Sequence, residues 1–317
     1  MVAALILVTL LAAGSTPPQS LLKRGLLALE QGKLAEARAD LEQASQADPK
    51  DAYVWAALAQ TYLRANEPKL ASAAAETAEK IGGADPVVSH ALAMYYSEVG
   101  QLDHAAKLDA QIAFQATKTL LEHGDFTQAA EVAQAGLAGH SKDPQLVLAL
   151  GVARYGQRRF EDAIAEFLRV IALDPQIEQP YVFLGKMLDQ AGAHLAEITR
   201  ADEAWAAHDP QNAKAQLLLA KALLAANSRD ERAEGLLRKS IALDAEDWEA
   251  HYELGVLLAS ERRYPEAAAE LERSIESNPK QPMPHYHLAR VYDRLGEPER
   301  AQAERELHER LTAGSQH

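Results

Sequence analysis

Residues 158–175 read Arg-Arg-Phe-Glu-Asp-Ala-Ile-Ala-Glu-Phe-Leu-Arg-Val-Ile-Ala-Leu-Asp-Pro. Their opening places an apolar residue two positions after the first Arg and an alanine five positions after it. That opening recurs at Gly32-Lys33-Leu34-Ala35-Glu36-Ala37, Gly100-Gln101-Leu102-Asp103-His104-Ala105 and Gly124-Asp125-Phe126-Thr127-Gln128-Ala129. Arg262-Arg263-Tyr264-Pro265-Glu266-Ala267 and Gly296-Glu297-Pro298-Glu299-Arg300-Ala301 repeat it, and weaker copies start at Asn66, Gly192 and Asn227. The anchors 32, 66, 100, 124, 158, 192, 227, 262 and 296 are separated by 34 or 35 residues, apart from one step of 24. A fixed period of this length marks a stacked array, here of nine helix-turn-helix units with one compressed.

Tyr181-Val182-Phe183-Leu184-Gly185, His251-Tyr252-Glu253-Leu254-Gly255, and Trp55 with Leu58 and Tyr62 share a first-helix pattern. Ala163, Phe167 and Leu173-Asp174-Pro175 form a second-helix pattern, as do Ala267, Leu271 and Pro279. On these residues the chain, from about Ser20 to its end, resembles the tetratricopeptide repeat family. The resemblance implies an all-α fold, a right-handed α-α superhelix of about nine units spanning 16–317. Two departures stand out: Ala245 where a closing Pro is expected, and Gly82-Gly83 running on before Asp85-Pro86.

The pattern has a physical basis. Small residues such as Gly25, Gly151, Gly185 and Gly255, with Ala37, Ala163 and Ala267 opposite, let paired helices approach closely while large apolar residues fill the gap. Asp-Pro stops one helix and starts the next, because proline is tolerated only in a first turn. One unit cannot fold alone: its few large buried side chains return about 1.5–3 kcal/mol each, against about 1–2 kcal/mol per residue of backbone ordering. Stability therefore resides in contacts between neighbours, and the charged stretch Arg300–Leu311 is expected to form a solvating cap. Leu102 to His123 contains neither Gly nor Pro, so the sequence predicts that two helices fuse there and break the superhelix at 102–123.

Alanine and leucine dominate the composition, aromatics are 6% and strand signals are nearly missing. A net charge of −14 disfavours nucleic acid, whose phosphates need clustered cations. With no cysteine, disulfides, thiolate chemistry and a lipid-carrying cysteine are excluded. Val2–Ala13 is apolar and Gly14-Ser15-Thr16-Pro17-Pro18 is small and helix-breaking, the pattern of a signal peptide over 1–15, although no Lys or Arg precedes the apolar core. The apolar stretch, about 13 residues long, falls short of the roughly 20 that span a bilayer. Export to the periplasm or outside the cell is the expectation, with a tether through an uncleaved N-terminal segment as the alternative and the sole membrane contact.

Catalytic and metal motifs are missing: there is no Gly-x-Ser-x-Gly, phosphate loop, His-Glu-x-x-His or calcium loop. No cofactor and no metal site is expected. His285 and His287 lie two apart and face opposite sides of a helix. His251 and His285 occupy the bulky position held elsewhere by Trp55 and Tyr181, so packing explains them. Ser20-Leu21-Leu22-Lys23 has serine-lysine hydrolase spacing without companion motifs, and an N-cap serine is the simpler reading.

In the family it resembles, first helices line a concave groove, with contacts from their second, fifth, ninth and twelfth positions. Carried onto this sequence, those offsets give Tyr53, Gln60, His90, Met94, Gln145, Leu148, Val152 and Tyr155. They continue with Val182, Lys186, Asp189, Lys214, Lys221, Tyr252, Tyr286, Arg290 and Asp293. Tyrosine and arginine are frequent interface anchors. Lys186, Lys221 and Arg290 share the ninth offset and are expected to form a cationic line that grips an acidic segment or a peptide carboxylate. The asparagines of the chaperone-tail clamp are absent. The expected function is a non-catalytic scaffold or adaptor of the cell envelope that holds a protein or extended peptide. The alternatives are a recognition or regulatory subunit of an envelope enzyme or secretion complex, and small-ligand binding in the groove.

Overall fold

A computed structural model describes residues 17–314, so the proposed signal segment 1–15 lies outside the described residues. These residues form eighteen α-helices, and no strand is found among them. The first four pairs are α1 (Pro17–Glu30) with α2 (Leu34–Ala47), α3 (Ala52–Arg64) with α4 (Pro68–Gly82), α5 (Pro86–Glu98) with α6 (Leu102–Leu108), and α7 (Ala110–Glu122) with α8 (Phe126–Gly139). Next come α9 (Pro144–Gly156) with α10 (Phe160–Leu173), α11 (Gln179–Lys186) with α12 (Leu195–His208), and α13 (Ala213–Ala226) with α14 (Arg232–Leu243). The last are α15 (Trp248–Ser260) with α16 (Tyr264–Ser277) and α17 (Pro282–Leu295) with α18 (Pro298–Gly314). Odd-numbered helices are the first helices of the nine expected units.

The sequence anchors are the residues that turn each pair. Gly32, Asn66, Gly100, Gly124, Arg158, Gly192, Arg262 and Gly296 all have positive φ, between 50° and 81°. In seven units the next residue's N–H reaches the carbonyl five positions back, as in Lys33 to Ala28, Gln101 to Tyr96 and Arg263 to Leu258. This is the Schellman closure of a helix C-terminus, which needs a left-handed residue and explains the preference for Gly or Asn. Asn227 departs from the set: its φ is −148°, and its side chain accepts from the Arg229 N–H instead. Arg158 and Arg262 carry a Cβ where only glycine is free of strain. Arg158→Gly or Arg262→Gly should therefore stabilise by about 0.5–1 kcal/mol, the left-handed penalty less the extra entropy of glycine in the unfolded chain. Urea unfolding checks this, and a loss of stability would contradict it.

The starts of first helices are equally local. Asp51, Asp85, Asp143 and Asp247 cap α3, α5, α9 and α15 by accepting from backbone N–H groups two or three residues on, and Pro86 and Pro144 occupy first-turn positions. A bulky residue in the first turn of several first helices makes a second tie. Trp55 Nε1, Tyr181 Oη, His251 Nε2 and His285 Nε2 each meet the carbonyl oxygen six residues earlier, at Pro49, Pro175, Ala245 and Pro279. The acceptor is a main-chain oxygen, so Ala245 serves as well as proline, and that departure from the repeat costs the tie nothing.

The chain divides into two compact units between Glu166 and Phe167, within α10. In each, most helices pack on their chain neighbours, and several consecutive first helices touch, as α3 does α5, α7 does α9 and α11 does α13. The N-terminal unit is built around Leu22, Leu26, Leu41, Leu58, Leu92 and many buried alanines. The C-terminal unit has a cluster around Leu217, Leu237, Leu254, Leu271 and Leu288, and another in which Tyr181 stacks on Trp205 at 4.5 Å. The expected close approaches are present: a Cβ on Gly25 would lie 2.6 Å from Leu41 Cγ, and one on Gly255 2.7 Å from Leu271 Cγ. Gly185 differs, facing Leu218 of the next first helix, because α11 stops after eight residues and continues as 3-10 turns at Leu188–Gln190 and Gly192–His194.

The expected fusion over 102–123 does not occur. Asp109 is extended, with φ −144° and ψ 119°, and its carboxylate caps α7 by accepting from the Ile112 N–H at 2.9 Å. An aspartate cap breaks the helix where no Gly or Pro does. The missing ten residues come from α6, seven residues against fourteen in α2, and from a one-residue connection against four at 48–51.

Candidate partner-binding site

The exposed edges of consecutive first helices leave clefts between them. In the N-terminal unit a cleft of about 330 Å³ lies between α5 and α7, lined by Met94, Ser97, Glu98, Ile112, Gln115 and Thr119. Met94 is at the ninth offset and Ser97 at the twelfth. The other offset residues of this unit are placed differently. Tyr53 donates its hydroxyl to Asp85 at 2.9 Å, so it ties α3 to the cap of α5. His90 is held against Asp109 at 2.7 Å. Gln60 is 1% exposed, with its Nε2 buried and unpartnered, which corrects its placement on an open surface. On α9, Gln145 is exposed, Leu148 and Val152 are half-buried, and the Tyr155 ring meets Phe160 edge-on at 5.7 Å.

In the C-terminal unit the break after α11 opens a cleft of about 400 Å³ lined by Lys186, Leu188, Asp189, Lys221, Leu224 and Glu253. Lys221 is ion-paired with Glu249 and lies 3.9 Å from Glu253. Lys214 meets Asp247 at 3.4 Å and Glu249 at 3.3 Å. Burial pulls the Lys214 ammonium down, but Asp247 and Glu249 outweigh it and leave its pKa above the ordinary value. Burial likewise pushes the Glu249 carboxyl up, and Lys221 and Lys214 outweigh that. Glu253 is raised by burial, with Glu249 and Asp189 adding to it. Deeper still, Asp202 on α12 is 1% exposed with Oδ1 unpartnered, and burial pushes its carboxyl up to about 8 against the pull of Lys221. Val182 packs on the Tyr181–Trp205 cluster.

The expected cationic line is thus not formed. Lys221 is neutralised by carboxylates of the following first helix, Lys186 lies exposed with its Nζ 5.8 Å from the Phe183 ring, and Arg290 belongs to another cleft. That cleft, about 260 Å³, lies between α15 and α17 and is lined by Val256, Ala259, His287, Arg290, Val291 and Arg294. Tyr252 stands half-buried beside it, edge-on to His287 at 5.6 Å, its hydroxyl pushed up to about 12 by burial. Tyr286 is exposed with the Arg290 guanidinium 5.6 Å from its ring, while Asp293 is held by Arg305 at 2.9 Å. Sequence reasoning missed Val256, Ala259, His287 and Arg294. Adding 35 to Lys221 and twice 35 to Asp189 reaches Val256 and Ala259, so the offsets themselves could have found them.

The histidines are structural where they are buried. His251 Nδ1 meets Glu270 at 2.7 Å, and His285 Nδ1 meets Glu304 at 2.6 Å. His287 faces Tyr252 instead, on the opposite side of α17 from His285. Ser20 is not an N-cap: α1 starts at Pro17, and the Ser20 hydroxyl donates to the Pro17 carbonyl at 2.7 Å. Among the described residues no three His, Asp or Glu side chains are grouped to hold a metal ion, and no helix is long and apolar enough to cross a membrane.

Three family models, each described as a tetratricopeptide repeat, match the chain: one over 28–95, one over 115–176 and 227–282, and one over 270–303. No curated protein sequence matches it. Among solved structures, MamA (residues 41 to end) from Desulfovibrio magneticus RS-1 is 21% identical with a TM-score of 0.46, covering 54% of this chain and 96% of its own. TTC0263, a thermophilic tetratricopeptide repeat protein from Thermus thermophilus, is 19% identical with a TM-score of 0.45, covering 54% of this chain and 98% of its own.

Proposed function

The chain belongs to the tetratricopeptide repeat family, and on that premise we propose that it is a non-catalytic scaffold holding a protein or extended peptide along its first helices. Chains of this family generally act as protein-interaction scaffolds. The observation that carries the reading is the recurrence of clefts between consecutive first helices, at α5/α7, from α11 to α15, and at α15/α17. Met94, Lys186, Asp189, Lys221 and Arg290 line them, so five of the offset residues share one kind of surface. Clefts of this size take side chains of an extended partner, with Tyr and Arg at hand as anchors. We place the protein in the cell envelope on the strength of the apolar stretch Val2–Ala13 and the helix-breaking segment after it.

One experiment tests both statements. The chain is isolated from the periplasmic fraction, its N-terminus is read by mass spectrometry, and partners are captured with the natural protein and with Met94→Arg and Val256→Arg. The N-terminus should follow residue 15, and each charged side chain in a cleft should cut capture of one partner by at least about tenfold. An intact residue 1 in a cytosolic fraction would sink the location. Undiminished capture by both variants, with thermal melting unchanged, would sink the groove.

A further inference from the structure

Several cations of the C-terminal unit are held by carboxylates, among them Lys214, Lys221, Arg232, Arg263, Arg300 and Arg305. Arg290 and Arg294 lie one turn apart on α17 and are not among them. Among the described residues neither meets a carboxylate at ion-pairing distance, and Asp293 between them is taken by Arg305 of α18. Both arginines line the same cleft, whose apolar floor is Val256, Ala259 and Val291. Of the other titratable groups in its lining, Tyr264 comes from α16, and burial and Arg290 lower the His287 imidazole from its ordinary value. Beside the cleft Met283 and Tyr286 are exposed, and the Tyr286 ring supports the Arg290 guanidinium from 5.6 Å.

We propose that the cleft between α15 and α17 binds an aspartate or glutamate side chain of an extended partner segment, with the adjoining apolar residue of that segment in the floor. The guanidiniums supply a planar donor array that carboxylate oxygens match. The floor gives an apolar side chain somewhere to go, which a free phosphate would leave empty. Tyr286 and Met283 extend the contact along the same helix face, and both residue types are enriched at interfaces. Specificity follows from charge: a basic segment would meet two unpaired arginines, and like charges in contact repel it. This reading deepens the groove proposal and rests on it.

The test uses the full chain on an array of short randomised peptides attached through their C-termini, so that no free terminal carboxylate is offered. Bound peptides should be enriched about tenfold in Asp or Glu next to an apolar residue, the discrimination expected of one charge-assisted pair. In the Arg290→Gln/Arg294→Gln variant that enrichment should vanish while thermal melting is unchanged, since both side chains lie at the surface. Binders without acidic enrichment, or enrichment that survives the double variant, overturn the inference and leave the groove reading standing. An array on which the natural chain binds nothing overturns both.

Discussion

Replacing Asp202 with the isosteric leucine should stabilise the C-terminal unit by about 2–4 kcal/mol near pH 8, and by little near pH 4. The side chain lies on α12 at 1% exposure, and no donor reaches its Oδ1. Burial lifts its carboxyl from 3.8 to about 8. Below the lower value both folded and unfolded chains hold the proton, and Asp202 costs only an imperfectly satisfied hydroxyl. Between the two values the unfolded chain ionises while the folded chain does not, so stability falls as pH rises. Above about 8 the folded carboxyl ionises as well and the loss levels off. Urea unfolding of Asp202→Leu at both ends of that window measures the difference. A gain independent of pH would show that Asp202 ionises freely in the folded chain. Lys221 is the nearest compensating charge, but Glu249 and Glu253 already claim it, which leaves the acid without a partner.

The turns were the most legible part of the molecule, because left-handed backbone selects residue types directly. Eight of the nine anchors read from the sequence have positive φ, and the ninth, Asn227, is the copy with neither Gly nor the apolar-alanine pattern in full. The compressed unit shows the limit of reading breaks from Gly and Pro alone. Asp109 ends one helix and caps the next through a side-chain hydrogen bond, a signal that Asp-x-x with an apolar fourth residue carries faintly in an alanine-rich stretch.

The candidate site was legible in position but not in electrostatics. Offsets nine and twelve do line clefts at Met94, Lys186, Asp189, Lys221 and Arg290. What one unit's offsets cannot reveal is what the next unit supplies. Tyr53 finds Asp85, Lys214 finds Asp247 and Glu249, and Lys221 finds Glu249, all between 28 and 35 residues on. A cation at an offset position is therefore free or consumed according to the residue about one period later. Applied to Arg290, that rule finds no later first helix in the described chain, which fits its lack of a carboxylate partner.

Removing the acid that faces His251 should cost stability at low pH and progressively less at high pH. His251 is buried on α15, with Nδ1 2.7 Å from Glu270 of α16 and Nε2 3.1 Å from the Ala245 carbonyl. A carbonyl only accepts, so Nε2 carries a hydrogen, and an ionised Glu270 calls for a second hydrogen on Nδ1. Glu270 outweighs burial and the nearby Arg273 charge and raises the imidazole above its ordinary 6.5. A raised histidine stabilises fully below its unfolded value, and the contribution is lost as pH rises through the folded value. Glu270→Gln should therefore destabilise by about 2 kcal/mol near pH 5.5, the worth of a hydrogen bond to a charged group, and by under about 0.5 kcal/mol near pH 9. Equal losses at both pH values would mean the ring is neutral throughout. Because stability in a repeat array passes through nearest neighbours, the loss should register first as faster hydrogen exchange in α15 and α16. His285 and Glu304 repeat the geometry 34 residues on, so Glu304→Gln separates the contribution of the last pair from that of α15 and α16.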